Sequence, residues 1–318
     1  MNLTDKKILV TGGAGFLGSH LVERLITRGA KPENILAASS RDFDFRKFGD
    51  CERAVKGRDV IIHLAAKVGG IGYNQAKPGE LFYDNMIMGA HMIEAAHRGG
   101  AEKFVAVGTI CSYPKFTPVP FREENLWLGY PEETNAPYGL AKKALLIAAQ
   151  AYRAQYGMNI VYLLPVNLYG PRDNFNPESS HVIPALIKKI ADAKHEGKDC
   201  VEVWGTGRAT REFLFVEDAA EGVALAAMNY DKAEPVNLGS GMEISIKHLV
   251  ELIARTMDFK GEIRWDASKP DGQPRRMLDT SRAEKEFGFK AKTLFDEGLK
   301  KTIEWYIVRP PAGEAPKA

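Results

Sequence analysis

With 318 residues, 45% hydrophobic and 26% charged, the chain is long enough for one large or two modest domains, and its average composition indicates a globular protein with a real core rather than a disordered one. Its formal charge of +2 is the small difference between 43 basic and 41 acidic side chains, so no global field draws nucleic acid or an anionic membrane, and any anionic ligand is held locally. Cys51, Cys111 and Cys200 are odd in number and widely spaced, which argues against a disulfide framework or a structural zinc site and for a reducing cytoplasm; no apolar signal region precedes the first strand, and no apolar run reaches the ~20 residues of a membrane span.

The first half alternates short apolar runs with helix-period segments. KILVT (7–11), NILAAS (34–39), DVIIHL (59–64), KFVAVG (103–108) and NIVYLL (159–164) read as strands of a parallel sheet with covering helices. Leu17, Leu21, Val22 and Leu25 share one face of the first helix, and Gly29 stops it. After about residue 170 the alternation lapses, and helices near 181–195, 217–228, 245–257 and 294–306 are separated by short strands and Gly-, Pro- and Arg-rich loops. The expected architecture is α/β: a Rossmann-type doubly wound parallel sheet over 1–170, with contributions from the C-terminal half, a smaller mixed α/β substrate domain over 171–306, and a flexible tail over 307–318.

The first strand runs into Thr11-Gly12-Gly13-Ala14-Gly15-Phe16-Leu17-Gly18 and then a helix. The spacing fits both Gly-x-x-Gly-x-x-Gly and Gly-x-Gly-x-x-Gly, and either sets a glycine turn and a helix N-terminus beneath a pyrophosphate. The second strand ends in Ser39-Ser40-Arg41 in place of the acid that binds a ribose hydroxyl, which favours NADP and leaves NAD open, since Asp42 and Asp44 follow at once. His63-Leu64-Ala65-Ala66 closes the third strand with small residues across which a dinucleotide can lie.

Tyr138 and Lys142 stand one turn apart in a helical segment after Pro137, so an ammonium there is expected to lower the phenol from its ordinary value of about 10 and fit it for proton transfer. Thr109, at the end of the fourth strand, adds a hydroxyl for the same substrate oxygen. In this order, glycine loop, strand-end hydroxyl and Tyr-x-x-x-Lys resemble the extended short-chain dehydrogenases over about residues 5–306, and Asn167-Leu168-Tyr169-Gly170-Pro171 resembles their nicotinamide-side motif.

Further segments resemble the GDP-L-fucose synthase family: Ala66–Ile71, Cys111–Phe116, Asp173–Phe175, Ser180–Leu186, Trp204–Gly207 leading to Arg211–Leu214, and Asp266–Gly272 leading to Pro274-Arg275. That resemblance implies epimerisation followed by NADPH-dependent reduction of GDP-4-keto-6-deoxymannose at one site. Cys111 and His181 match its acid–base pair; Lys189, Trp204, Arg211 and Asp271 match its nucleotide-sugar contacts. Its cofactor positions fall on Gly12, Gly15, Phe16, Leu17, Gly18, Ser39, Arg41, Leu64, Ala65, Ala66, Lys142, Pro165, Asn167, Leu168 and His181. It also implies a homodimer through segments near 79–98 and 137–156.

The chain departs from that pattern at Thr109 and Ile110, where small polar residues are usual, and at Ser39, where an arginine is common. Three other readings stand beside the main one: the same chemistry on another 4-keto hexose or heptose nucleotide, an NAD-holding sugar-nucleotide 4-epimerase that has no need of Cys111 with His181, and a dinucleotide-binding protein without catalysis.

Overall fold

A computed structural model describes residues 1–269 and 271–308. In chain order its elements are β1 (Ile8–Thr11), α1 (Phe16–Thr27), β2 (Ile35–Ala38), α2 (Phe48–Val55), β3 (Val60–His63), α3 (Ile71–Ala76), α4 (Pro78–Arg98), β4 (Lys103–Val107), α5 (Ala136–Tyr156), β5 (Ile160–Pro165) and β6 (Asn167–Tyr169). There follow α6 (Val182–His195), β7 (Cys200–Trp204), β8 (Thr210–Phe215), α7 (Val216–Asn229), β9 (Val236–Leu238), β10 (Glu243–Ser245), α8 (Ile246–Thr256), β11 (Glu262–Asp266), α9 (Ser281–Phe287) and α10 (Phe295–Val308). Residues 307 and 308, expected in a flexible tail, belong instead to α10, whose turns continue through Val308; the rest of that expectation, 309–318, lies outside the described residues.

Six parallel strands form the main sheet in the order β2-β1-β3-β4-β5-β9. Strands β1 and β3 are buried throughout and read as continuous apolar runs, as strands covered on both faces must. The direction of winding reverses between β1 and β3, so a crevice opens beyond their C-terminal ends, the place where ligands bind in open α/β sheets. One face of α1 buries Leu21 and Leu25 against this sheet, and α1 also packs on α7, whose run of Ala219, Ala220, Gly222, Ala224, Ala226 and Ala227 lets two helices lie close.

The buried apolar groups fall into two clusters. The larger surrounds the six-stranded sheet and recruits Ala219–Ala227, Leu238, Ala283 and Phe287 from α7, β9 and α9, so the chain returns to the first core after leaving it. The smaller packs Ile183, Leu186, Ile187 and Ile190 of α6 with Leu249, Val250 and Ile253 of α8, Phe213 and Phe215 of β8, and Leu299 and Ile303 of α10. Around it lie a three-stranded sheet β10-β8-β6 and the parallel pair β11-β7. Among the described residues no helix is long and apolar enough to cross a membrane.

Candidate active site

The crevice is made chiefly of backbone. Gly12 takes φ +70°, and a Cβ on it would come within 3.3 Å of the Ala65 nitrogen. On Gly18 a Cβ would stand 2.0 Å from the Gly12 carbonyl oxygen, so only glycine lets the first turn of α1 settle on the loop. The N-cap of α1 is Gly15, which offers no side-chain cap, so the helix's first N–H groups and its positive end are left for a ligand. Such a cradle fits the pyrophosphate of a dinucleotide, and Phe16 and Leu17 begin the helix at its rim.

Thr11 ties the two strand ends together. Its hydroxyl accepts from the Leu64 and Ala65 nitrogens at 3.1 and 3.0 Å and lies 2.9 Å from His63 Nδ1. With both N–H groups donating to it, the hydroxyl gives its own proton to Nδ1, which makes His63 a neutral imidazole. Burial, then the nearby Lys142 charge, bring His63 down to about 3, in agreement with that arrangement. Leu64, Ala65 and Ala66 are thereby fixed, half-buried, along the crevice.

At the end of β2, Ser39 donates its hydroxyl to Asp42 Oδ2 at 2.6 Å, and its oxygen accepts from the Arg41 nitrogen. The Arg41 side chain is exposed. Pro165 closes β5, while Asn167 and Leu168 lie half-buried on β6, Asn167 donating to the Glu212 carbonyl at 3.1 Å.

Helix α5 opens at Ala136 with Pro137 in its first turn, two residues earlier than a start after the proline, because a missing N–H costs nothing there. It brings Tyr138, Gly139 and Lys142 against the short turn Ile110–Ser112: a Cβ on Gly139 would stand 2.2 Å from the Cys111 carbonyl oxygen, and Ser112 donates to the Gly139 carbonyl at 2.9 Å. Thr109 starts that turn, and its hydroxyl accepts from the Cys111 nitrogen at 3.2 Å. Thr109, Cys111 and Tyr138 thus come from one docking of helix on turn.

The expected depression of the Tyr138 phenol by Lys142 is not what the structure holds. The Lys142 ammonium donates to the Val107 carbonyl at 3.0 Å. Burial pushes the Tyr138 phenol above its ordinary value, the neighbouring Cys111 adds to this, and a hydrogen bond with Thr109 works against it. Lys142 itself is brought down to about 8 by burial. At neutral pH the pair is therefore a protonated phenol beside a cation, an arrangement that gives a proton rather than takes one.

His181 is the N-cap residue of α6 and opens toward solvent, yet the protein around it lowers its imidazole by burial. It makes no hydrogen bond with Cys111 or Tyr138 among the described residues. The loop before it is fixed to the 66–71 segment: Gly70 donates to the Ser179 carbonyl at 3.2 Å, and a Cβ on Gly70 would lie 2.6 Å from the Ser180 carbonyl oxygen.

The opposite wall carries the charges. Arg211 donates to the carbonyls of Thr210, Gln273 and Asp271 at 2.7, 2.5 and 3.0 Å; burial and the adjacent Arg276 bring it down to about 10, still a cation at neutral pH. Asp271 accepts from the Thr206 nitrogen and hydroxyl, both at 2.7 Å. Trp204 is half exposed, with the Lys189 and Lys269 ammonium groups 6.0 and 5.4 Å from its ring centre, an open aromatic and cationic platform. Lys189 also donates to the Glu202 carbonyl at 3.1 Å.

Sequence reasoning passed over Arg276, Gln273 and Glu212. Arg276 is 6% exposed and its Nη1 points at the Cys111 sulfur at 3.6 Å. Glu212, fully buried, accepts from the nitrogens of Ser240, Gly241 and Leu278 at 2.6, 2.7 and 2.6 Å. A carboxylate directly before the apolar run Phe213-Leu214-Phe215 was the available signal, since a buried carboxylate must be fully hydrogen-bonded.

The chain as a whole has counterparts among known proteins. A family model described as the NAD dependent epimerase/dehydratase family matches residues 8–239. The GDP-L-fucose synthase of Sinorhizobium fredii (strain NBRC 101917 / NGR234) is 40% identical over 307 residues, spanning 96% of this chain and 96% of that protein. Among solved structures, a GDP-6-OMe-4-keto-L-xylo-heptose reductase from C. jejuni matches with a TM-score of 0.88 and 26% identity, over 96% of this chain and 98% of that one. A GDP-L-fucose synthetase from Naegleria fowleri bound to NADP gives 0.85 and 28%, over 96% and 94%. The chain belongs to the NAD-dependent epimerase/dehydratase family, in the branch that holds the GDP-L-fucose synthases.

Proposed function

We propose that the chain is an NADP-dependent epimerase and reductase that converts GDP-4-keto-6-deoxy-D-mannose to GDP-L-fucose. The observation that carries this reading is the docking of α5 on the turn Ile110–Ser112, which sets a thiol, a phenol and a strand-end hydroxyl in one cleft beside a dinucleotide cradle. A plain 4-epimerase needs the phenol and the cradle but not the thiol.

The hydrogens on the two ring carbons flanking the keto carbon are acidic because their removal gives an enolate. Tyr138 and Thr109 donate to the enolate oxygen, while Cys111 and His181 exchange protons with the carbons. Gly12, Gly15, Gly18 and the crevice residues Leu64, Ala65 and Ala66 hold the dinucleotide, Lys142 its ribose, and Pro165, Asn167 and Leu168 line its nicotinamide end. Ser39 and Arg41 face its 2′-phosphate, Ser39 by turning from Asp42. Reduced NADP, when bound, supplies hydride to the keto carbon. Tyr138, held protonated, then gives its proton to the new alkoxide. Arg211 and Lys189 offset the diphosphate charge, Trp204 forms an apolar wall, and Asp271 accepts from the sugar or base.

The reading includes a cytoplasmic homodimer joined through the outward faces of α4 and α5, where Phe82, Tyr83, Ile147 and Tyr156 are exposed. Light scattering that gives a monomer mass at working concentration would rule the dimer out. The main test mixes protein, GDP-4-keto-6-deoxymannose and NADPH, follows loss of cofactor absorbance and identifies the sugar by NMR. GDP-L-fucose is expected. Oxidation of NADPH with a different keto sugar consumed would move the substrate to the heptose class, which the similarity to the C. jejuni reductase favours as second reading. Cys111→Ala is expected to abolish ring-proton exchange with solvent while reduction of the unepimerised ketone continues; equal loss of both steps would refute the division of labour.

A further inference from the structure

The chemistry above uses the Cys111 thiol but not the buried cation behind it. Arg276 Nη1 donates to the sulfur at 3.6 Å, and Arg276 Nε donates to Gln273 Oε1 at 2.8 Å. Gln273, 3% exposed, gives its own amide hydrogens to the carbonyls of Lys115 and Pro114 at 2.7 and 3.4 Å. Those carbonyls lie on the loop that leaves Cys111. Sulfur, guanidinium, amide and loop therefore close a ring, in which the segment carrying the sulfur also fixes the angle at which the guanidinium meets it. The backbone of Arg276 is held as well, its carbonyl accepting from the Glu212 nitrogen at 3.0 Å.

We propose that Arg276 is a positioning residue for Cys111, aiming a charge-assisted N–H at the sulfur that stabilises it once the thiol has given up its proton to solvent, with Gln273 orienting the guanidinium. The inference rests on the reading of Cys111 as a proton-exchanging group. Two other groups face the sulfur: Arg211 from β8 and the Tyr138 phenol from α5. Arg211 directs its donors to three backbone carbonyls, and the phenol is neutral, so Arg276 is the cation whose N–H is aimed at sulfur. In the exchange, a ring C–H bond breaks, its electron pair enters the enolate, and its proton passes to sulfur as an S–H bond forms. Arg276 keeps its protons throughout. Its neighbour Arg275 faces outward and pairs with Glu243 at 2.6 Å, so only one of the two adjacent arginines reaches the cleft.

The test is iodoacetamide labelling of the full chain, read at the Cys111 peptide by mass spectrometry across a pH series, with Cys200 in the same sample as control for fold and reagent. In Arg276→Gln, Cys111 labelling near neutral pH is expected to slow about tenfold and to recover in alkali, where hydroxide supplies the thiolate. Arg276→Lys keeps the charge and restores most of the rate. Gln273→Met leaves the charge but frees its orientation, and gives a smaller slowing even if Arg276→Gln folds poorly. An unchanged Cys111 pH profile in Arg276→Gln, or a slowing that persists in alkali, would overturn the proposal. With the sugar nucleotide, ring-proton exchange should lose kcat while KM stays within about twofold; a loss confined to KM would make Arg276 a substrate contact and refute the role. Labelling needs no sugar nucleotide, so a wrong substrate assignment leaves that result standing.

Discussion

The crevice beyond β1 and β3 and the wall behind Cys111 are both places where polar groups are taken out of water, and they are built from opposite materials. The crevice is backbone: glycines that admit close approach, uncapped helix N–H groups and a threonine that joins two strand ends. The wall is side-chain charge: Arg211 and Arg276 held by carbonyls and an amide, with the buried Glu212 carboxylate gathering three N–H groups from Ser240, Gly241 and Leu278. A site of the first kind should fail when an atom is added, and one of the second kind when a hydrogen-bonding atom is removed.

The largest effect is expected on the charged wall. Glu212→Leu strands the buried N–H of Leu278 and the part-buried ones of Ser240 and Gly241, at roughly 1–3 kcal/mol each, so urea unfolding should report a loss of about 4 kcal/mol, while Glu212→Gln, which keeps one acceptor oxygen for Ser240 and Gly241, loses less. A neutral result for Glu212→Leu would show that the segment finds other partners and would end the contrast. Next comes the crevice. Gly18→Ala forces a Cβ to within 2.0 Å of the Gly12 carbonyl oxygen, where backbone must move, and is expected to cost about 3 kcal/mol in thermal unfolding and to abolish NADP binding by fluorescence titration. Gly15→Ala, whose Cβ would come no closer than 3.1 Å to that oxygen, should be milder on both readouts.

The same contrast explains what could be read from the sequence. The cradle is local: glycines at fixed offsets between a strand and a helix, and Tyr138 and Lys142 one turn apart, are contiguous patterns. Arg276 meets Cys111 across 165 positions, from a segment with neither helical nor alternating period, so no spacing rule points to it. Strand β9 is three residues long, too short for a period to emerge, yet it completes the main sheet, and α7 and α9 return to the first core with it. Spacing also misled at Lys142. It set the ammonium and the phenol on one helix face, but it could not reveal the Val107 carbonyl that the ammonium meets.

Two buried titratable groups carry the comparison into stability against pH. His63, in the crevice, is brought down to about 3 from an ordinary 6.5, so between those values the unfolded chain binds a proton the folded one does not, and stability falls as the solution is acidified. Asp173, in the loop entering the second cluster, is raised by burial to about 7 from 3.8 and has an oxygen without a partner among the described residues. There the folded chain binds the extra proton, and stability rises on acidification. Between about pH 6 and 5 each group shifts the unfolding free energy by about 1.4 kcal/mol per pH unit, in opposite directions, so they largely cancel. His63→Asn keeps an acceptor for Thr11 and removes the first slope, so relative to the parent it should grow steadily more stable as pH falls through this window; Asp173→Asn should grow less stable by a similar amount. Urea titrations at a few pH values measure both differences. Parallel curves for His63→Asn and the parent would mean that the crevice histidine is free to take a proton in the folded chain, and that the Thr11 hydroxyl does not hold it neutral.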